Sequence, residues 1–287
     1  MLTLSSEELK VELLDPGNAG ERRHQGSRFC WGGYVWRVVD PVAGDLVAGP
    51  EWPEASPRAF NGQGLPESFR HSSFPDQRPL TMVGGRGFVI GVGEVGPGPE
   101  SQPVVENPCY WEVNQSDRSL KFETRQASQG WETDLVRIVS IAGRTLASVS
   151  RLTNRGNRPL PLHWFAHPFF ALGGGRLTCD LPAGYAFDEN PGFALSASGR
   201  LSFKRPFHGV DDGQFQLLKI PPNTPLSVNV SHPRLSFVRF AADFTPDVCP
   251  VWGNGNTWSI EPYIVTTLAP GESRTWKLTY EFGPVSS

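Results

Sequence analysis

The chain has 287 residues and a net charge of −3, so charge gives no basis for binding nucleic acid or an anionic membrane surface. No apolar run reaches the roughly 18 residues of a membrane-spanning helix. The 31 Gly and 27 Pro residues interrupt regular structure often, while 18 Phe, 9 Trp and 5 Tyr supply a large core. We therefore expect one β-rich domain over residues 1–287, made of many short strands.

The first elements are ambiguous in part. The stretch SSEELKVELL can form a short helix behind a serine cap, or its KVELL portion can form a first strand. The acidic N-terminus lacks the basic-then-apolar order of a signal peptide, so we expect a cytoplasmic protein. YVWRVVD then alternates as a strand does, and GQGLPESFR is compatible with one turn of helix.

Residues 91–96, GVGEVG, match the dinucleotide-binding pattern G-x-G-x-x-G. That site also needs a helix that begins within the motif and binds the pyrophosphate at its N-terminus. The prolines of the following PGPESQP prevent such a helix. We predict a strand leading into a turn, with no nucleotide site.

The second half of the chain reads as antiparallel sheet. DLVRIVSIAGRTLASVSRLTN predicts two long strands joined by a turn at Ala142-Gly143-Arg144. SLKFETRQ, LSVNVS and LSFVRFAADF also have strand character. In TWKLTYEF, Trp276, Leu278, Tyr280 and Phe282 share one face, as in a half-buried strand. The predicted fold class is a large antiparallel β-sandwich.

The cysteines give no sign of a metal centre. Cys30, Cys109, Cys179 and Cys249 lie far apart, without a C-x-x-C pair, so we expect reduced, buried thiols and no bound metal. The sequence also lacks a P-loop, a G-x-S-x-G elbow and an H-E-x-x-H motif. We expect no cofactor.

The segment PLHWFAHPFF, residues 161–170, concentrates His163 and His167 among aromatic residues. Pro168 forces His167 into an extended conformation, and residues four apart in a strand share a face. The pattern fits a hydrogen-bonded core histidine, and it also fits a proton donor at the mouth of an apolar cleft.

The segment GNGNTWSIEPYIV places Glu261 at a strand end, with Trp258 and Tyr263 nearby. Glu261 alone reads as a carboxylate at the rim of the sheet. With His167 it forms an acid–base pair framed by aromatic rings, on which sugar rings stack. No nucleophile with a partner base is evident, so the residues favour proton transfer on a carbohydrate over hydrolysis through a covalent intermediate.

Several motifs, in order, resemble the galactose mutarotase-like (aldose 1-epimerase-like) superfamily and in particular its bacterial branch. The resemblance covers the chain from about Gly26 to the C-terminus. It is carried by GSRFCWGGYVWRVV, GLPESF, GRGFVIGVGEV, FAHPFF, GVDDGQF and WSIEPY.

The resemblance implies a β-supersandwich that holds a sugar in a cleft, with Glu261 as general base and His167 as general acid. It implies that Asp211, or its neighbour Asp212, binds sugar hydroxyls. Arg28 and Glu67 would line the same pocket. His71 is a candidate, by position only, for the superfamily's second histidine, and Trp258 is the expected stacking face.

The sequence thus predicts an isomerase that interconverts the α and β anomers of a hexose, acting as a monomer or homodimer. One alternative is a non-catalytic carbohydrate-binding protein, because Ala166 stands where the superfamily usually has asparagine before the acid histidine. A second is a sugar-phosphate mutarotase, for which the possible cations are Arg28, Arg70, Arg86, Lys204 and Arg205. A third is a polysaccharide lyase or hydrolase.

Overall fold

The computed structural model describes residues 1–47, 62–70, 80–81, 86–98, 103–128 and 130–286. Within these ranges the chain forms one short helix and short-to-medium strands that pair antiparallel. The elements of the first half are β1 (Leu2–Ser5), β2 (Lys10–Leu13), α1 (Ala19–Arg22), β3 (Val35–Asp40), β4 (Gly44–Asp45), β5 (Glu67–Arg70), β6 (Leu80–Thr81), β7 (Gly87–Val89), β8 (Gly93–Gly96), β9 (Val104–Pro108), β10 (Glu112–Gln115), β11 (Ser119–Ser128) and β12 (Trp131–Ala142).

The second half continues with strands alone over its described residues. They are β13 (Thr145–Asn154), β14 (Leu160–Ala166), β15 (Phe170–Ala171), β16 (Thr178–Asp180), β17 (Phe193–Leu195), β18 (Arg200–Phe203), β19 (Gly213–Leu217), β20 (Ser227–Val230), β21 (Val238–Ala242), β22 (Pro250–Asn254), β23 (Thr257–Ile260), β24 (Tyr263–Leu268) and β25 (Ser273–Phe282).

A ten-stranded sheet forms the largest layer, in the order β10-β11-β12-β13-β25-β21-β20-β16-β18-β17. The smaller sheets have the orders β1-β2-β3-β4, β24-β14-β5, β15-β23-β22-β19 and β6-β7-β8-β9. This architecture confirms the predicted large antiparallel β-sandwich.

The predicted hairpin and the predicted C-terminal strand are both present. β12 and β13 pair from Thr133 opposite Asn154 to Ala142 opposite Thr145. Gly143 lies in the turn with φ of 55°, a backbone conformation that glycine adopts without steric cost. On β25 the four predicted core side chains are buried, and their neighbours are exposed or half-buried.

The ambiguous segments resolve as strands. β2 covers KVEL and pairs with β1, so the N-terminus is a hairpin and the helical alternative is wrong. The helical turn within GQGLPESFR is also wrong, because Glu67–Arg70 pairs with β14 as strand β5. Residues 90–92 form the turn that joins β7 to β8, and residues 93–96 are β8 itself, so no helix begins within the motif.

The three-stranded sheet β24-β14-β5 packs one face against the ten-stranded sheet. Trp164 on β14 contacts Trp276 on β25, with ring centroids 4.9 Å apart, and Phe69 on β5 contacts Trp276 at 6.2 Å. One cluster of buried side chains runs from Leu4 to Phe282. A smaller cluster lies apart from it and consists of Leu14, Phe29, Tyr34, Phe169 and Trp252.

Gly64 joins β5 to the neighbouring sheet at a close backbone approach. Its φ is +77°, and an added Cβ would lie 2.2 Å from the carbonyl oxygen of Val35. Its own carbonyl accepts a hydrogen bond from the Phe169 amide at 2.9 Å. The second, smaller cluster therefore depends on a position where only glycine fits.

The variant Gly64→Ala should lower the free energy of unfolding by clearly more than the control variant Gly271→Ala. Gly271 has a similar φ of +80°, but nothing lies within 4 Å of its added Cβ. We expect the control to lower the free energy of unfolding by about 1–2 kcal/mol, because alanine is strained in the left-handed region. Gly64→Ala should lose this amount and, in addition, the cost of the clash with the Val35 carbonyl. Urea unfolding of both variants measures the difference; equal losses would contradict the close approach.

Candidate active site

His167 comes directly after β14, on the face of that strand opposite to Trp164. Its amide donates a hydrogen bond to the carbonyl of Pro66 at 2.9 Å, which fixes the backbone beside β5. Pro168 restricts this backbone to an extended form. Side chains 165, 167 and 169 therefore point to one side, away from the ten-stranded sheet. His163 lies earlier on β14, in register with Val265 and Arg70.

Glu261 follows β23 and meets the imidazole of His167. The Nε2 atom of His167 lies 3.3 Å from Oε1 of Glu261. The amide of Glu261 donates to the carbonyl of Pro250 at 2.9 Å, which continues the pairing of β22 with β23. The two segments that the sequence singled out thus converge on one point.

The Glu261 carboxylate is buried, and its pKa is raised to about 7. Removal from water is the largest cause, because burial disfavours the charged form. Groups around it act in the opposite direction. The Trp252 indole Nε1 donates to Oε1 at 2.5 Å, the Tyr263 hydroxyl lies 3.5 Å from Oε2, and the Ser259 hydroxyl and the Arg28 charge also lower the pKa.

Arg28 supplies the positive charge of the site. Burial lowers the pKa of its guanidinium, while the neighbouring charge of Glu261 raises it. The guanidinium carbon lies 5.7 Å from the ring centroid of Phe29. Its Nε has no hydrogen-bond partner within the described residues. Arg28 is therefore close enough to Glu261 for the two charges to interact.

Aromatic rings enclose the pair. The His167 ring lies 4.6 Å from Phe169, 5.3 Å from Phe29, 5.6 Å from Trp252 and 5.9 Å from Phe165, centroid to centroid. His167 is 1% exposed and Glu261 is 4% exposed. In this conformation the pair is closed to bulk water.

Glu67 lies on the other face of β14 and not beside this pair. It is opposite Ala166 in register, and its carboxylate forms a buried ion pair with Arg137. It also accepts from the Ser148 hydroxyl at 2.8 Å and from the Trp164 indole at 3.0 Å. Glu67 therefore lies in the core of the sandwich, and the prediction that it lines the pocket is wrong.

Asp211 lies at the edge of the site, and Asp212 does not face it. Asp211 is exposed and lines a pocket of about 200 Å³ together with Trp252. Asp212 accepts two hydrogen bonds from Arg205, at 2.6 and 2.8 Å, and this arginine lowers the pKa of Asp212 to about 2. Of the two predicted alternatives, Asp211 is the one near Trp252.

Trp258 lies in the core and not in the site. It is fully buried and packs on Phe170 at 4.9 Å. Within the β22–β23 hairpin Trp258 is opposite Gly253, while Trp252 is opposite Ser259. Trp252 therefore shares a face with Glu261, and the prediction of Trp258 as the stacking face is wrong. A hairpin register centred on Gly255–Asn256, the two residues between β22 and β23, selects Trp252.

The remaining predicted residues that the structure describes do not gather at the pair. His71 and the side chain of Arg70 lie outside the described residues. Arg86 forms an ion pair with Glu106, and Lys204 forms one with Glu189. In the part of the chain that the structure describes, no three His, Cys, Asp or Glu side chains are grouped as a metal ion would require. The four cysteines are unpaired thiols, three of them buried.

No helix among the described residues is long and apolar enough to span a membrane. No protein-family model matches the chain, and no curated protein matches its sequence.

Solved structures do match over nearly the whole chain. A galactose mutarotase-like protein from Lactobacillus casei has a TM-score of 0.63 and 14% identity, over 98% of this chain and 99% of that one. A galactose 1-epimerase from Lactobacillus acidophilus has 0.56 and 12%, over 99% and 94%. An aldose epimerase homologue from C. elegans has 0.55 and 13%, over 99% of both chains.

The chain therefore has the galactose mutarotase-like fold, as the sequence resemblance implied. At sequence identities of 12–14%, this structural similarity establishes the fold alone. The activity has to be argued from the site.

The raised pKa of Glu261 makes stability depend on pH. Between pH 4.5, its usual pKa, and about 7, the folded state holds a proton that the unfolded state has released. The free energy of unfolding therefore falls as pH rises through this window. The variant Glu261→Gln lacks this loss, so its stability relative to the parent should increase with pH, by up to about 3 kcal/mol above pH 7.

Urea unfolding at several values between pH 4 and 8.5 measures this effect. The control variant Glu112→Gln, at an exposed position of β10, should differ from the parent by the same amount at every pH. A pH-independent difference for Glu261→Gln would contradict a buried carboxyl that titrates near neutrality.

Proposed function

We propose that the protein is an aldose 1-epimerase that interconverts the α and β anomers of a sugar through Glu261 and His167. The observation that carries this proposal is the 3.3 Å contact between the carboxylate and the imidazole. The fold, which is similar to that of a galactose 1-epimerase and of an aldose epimerase homologue, supports it.

The reaction moves a proton between two neighbouring oxygens. In a cyclic aldose the anomeric hydroxyl O1 and the ring oxygen O5 are both bonded to C1. Two groups that touch each other can therefore serve both oxygens of one substrate. Proton transfers by positioned groups of this kind typically contribute about 10²–10⁴ in rate each.

Ring opening leaves the number of protons on the Glu261–His167 pair unchanged. The Glu261 carboxylate takes the proton of O1, and the O1–H electrons form the C1=O1 double bond. The C1–O5 bond breaks toward O5, which takes a proton from protonated His167. The pair holds one proton before and after this step, first on the imidazole and then on the carboxyl. Rotation about C1–C2 and the reverse transfers give the other anomer.

The surroundings suit a base that must release its proton again. A pKa of about 7 leaves Glu261 partly ionised near neutrality, where proton gain and loss are both accessible. The indole N–H of Trp252 stabilises the charged carboxylate. In this proposal Asp211 accepts hydrogen bonds from sugar hydroxyls, and Arg28 and His71 belong to the same site. The reaction needs no cofactor.

The burial of the pair favours a second candidate, a carbohydrate-binding protein without catalysis. At exposures of 1% and 4%, a sugar reaches the pair only if one of the enclosing rings moves. The sugar-phosphate alternative has less support, because three of its five candidate cations, Arg86, Lys204 and Arg205, are each bound to a carboxylate.

Polarimetry on freshly dissolved glucose and galactose, with their 6-phosphates in parallel, distinguishes these candidates. We expect the parent protein to accelerate mutarotation and Glu261→Gln to lose at least about 10²-fold while still binding sugar. Binding without acceleration by the parent would contradict the epimerase and favour the second candidate.

Trp252→Phe should shift the pH dependence of the reaction. We expect kcat/KM to rise with pH through about 7, as Glu261 loses its proton. Trp252→Phe removes a hydrogen bond that favours the charged carboxylate, so this rise should move to higher pH. The control Trp258→Phe changes a buried indole that lies away from Glu261. It should leave the pH at which kcat/KM rises unchanged. Equal pH profiles for the two variants would refute the assigned role of Trp252.

A further inference from the structure

A concave region of about 470 Å³ lies at one end of β16 and β18, apart from the acid–base pair. This basic pocket is lined by residues 174–178, which lead into β16, and by residues 202–206, which end β18 and follow it. Among the described residues, none of the groups that contact Glu261 or His167 lines it. The proposed reaction therefore does not account for this pocket.

Two neighbouring strands of the ten-stranded sheet present alternate side chains to the basic pocket. Thr178 on β16 is opposite Ser202 on β18 in register. Two residues further along the same face come Arg176 and Lys204, and both are exposed. Leu177 between Arg176 and Thr178 is buried, so the alternation of the strand continues past its end.

The two ends of this strand pair differ in charge. At one end Asp180 is opposite Arg200, and their side chains form an ion pair at 2.8 Å. At the pocket end, the positions that continue the register carry Arg176 and Lys204, which are both cations. Like charges opposite each other on neighbouring strands are destabilising. An anion bound between the two cations removes this repulsion.

Both cations retain hydrogen-bond donors for a ligand. The Arg176 side chain has no hydrogen-bond or ion-pair partner among the described residues. The Lys204 ammonium, which has three donors, donates to the Asn190 carbonyl at 2.9 Å. Its ion pair with Glu189 is 3.4 Å long, and that carboxylate is 92% exposed. Such an exposed ion pair contributes little and is readily exchanged for a ligand.

The rest of the basic pocket fits a phosphate group. Its described lining residues include no Asp or Glu, and the hydroxyls of Thr178 and Ser202 are further donors. Arg205 is neutralised by two hydrogen bonds to Asp212, at 2.6 and 2.8 Å. Half-buried Phe203 supplies an aromatic surface. A phosphate monoester carries a charge of about −1.5 to −2 at pH 7, which matches two cations, and arginine pairs with phosphate bidentately.

We propose that the basic pocket binds a phosphate group between Arg176 and Lys204. The phosphate can belong to a small organic phosphate ester, whose organic part would lie against Phe203, or it can be free phosphate. This site goes beyond the proposed reaction and does not depend on it.

Calorimetric titration of the full chain with phenyl phosphate and with inorganic phosphate tests the proposal. Phenyl phosphate has no anomeric carbon, so it cannot be a substrate of the proposed reaction. We expect a dissociation constant of about 1 mM or tighter, and Arg176→Gln and Lys204→Gln should each weaken binding at least about fivefold. The matched control is Arg274→Gln, at an exposed position of β25 outside the basic pocket. It should leave the dissociation constant within about twofold of the parent value.

The two probes also distinguish the sources of the phosphate. Phenyl phosphate that binds at least about tenfold more tightly than inorganic phosphate supports a site for an organic ester, because the aromatic ring then adds a contact. Equal affinities support a site for free phosphate.

Absence of binding of both probes at about 10 mM would overturn the proposal. Equal weakening by Arg176→Gln, Lys204→Gln and Arg274→Gln would also overturn it, because only the overall charge would then matter. So would a loss of binding confined to Arg28→Gln, which would place the anion beside Glu261. Failure of the proposed function has a different signature, namely no acceleration of mutarotation, and it would leave phosphate binding unchanged.

Discussion

The buried contact between Glu261 and His167 is the interaction on which the account of this protein depends. A carboxylate removed from water must be neutralised or given hydrogen bonds, since an isolated buried charge is costly. Here Trp252, Tyr263 and Ser259 lie around it, and Arg28 supplies charge from one side. These contributions offset burial only in part, so the carboxyl holds a proton at higher pH than an exposed one.

The fold brings the pair together through backbone contacts between separate sheets. Segment 64–68 accepts amide hydrogen bonds from Phe169, His167 and Cys30, and the hydroxyl of Ser68 donates to the Arg28 carbonyl at 2.7 Å. The Glu67 side chain anchors this segment to Arg137 in the core. The carboxylates of Glu67 and Glu261 lie on either side of β14. They differ because Glu67 is paired with the guanidinium of Arg137 and Glu261 faces the imidazole of His167.

Much of the fold followed from the alternation of apolar residues. Buried and more exposed side chains alternate over residues 132–142 of β12 and 275–282 of β25, long enough for the pattern to define the buried face. Short segments were harder to assign from the sequence. Glu67–Arg70 is a strand only because β14 pairs with it, and that pairing is a long-range contact. That residues 1–287 form one domain remains a prediction.

The sequence predicted the two residues at the centre of the candidate site, but not which residues surround them. The pairing of Glu261 with His167 was inferred from the two aromatic-rich segments and was also implied by the resemblance, and the structure brings the two groups together. Whether Trp252 or Trp258 faces Glu261 depends on a hairpin register, since neighbouring positions point to opposite faces. The position of Glu67 depends likewise on which face of β14 it joins. Sequence pattern alone does not define either relation.

The most direct measurement is a pH titration of the Glu261 carboxyl carbon by ¹³C NMR, with Glu261→Gln used to assign the signal. The account predicts a titration centred near pH 7 in the parent protein, and a shift to higher pH when Trp252 is replaced by phenylalanine. A midpoint near the ordinary glutamate value of 4.5, unaffected by that replacement, would contradict a carboxylate buried against the imidazole and the indole.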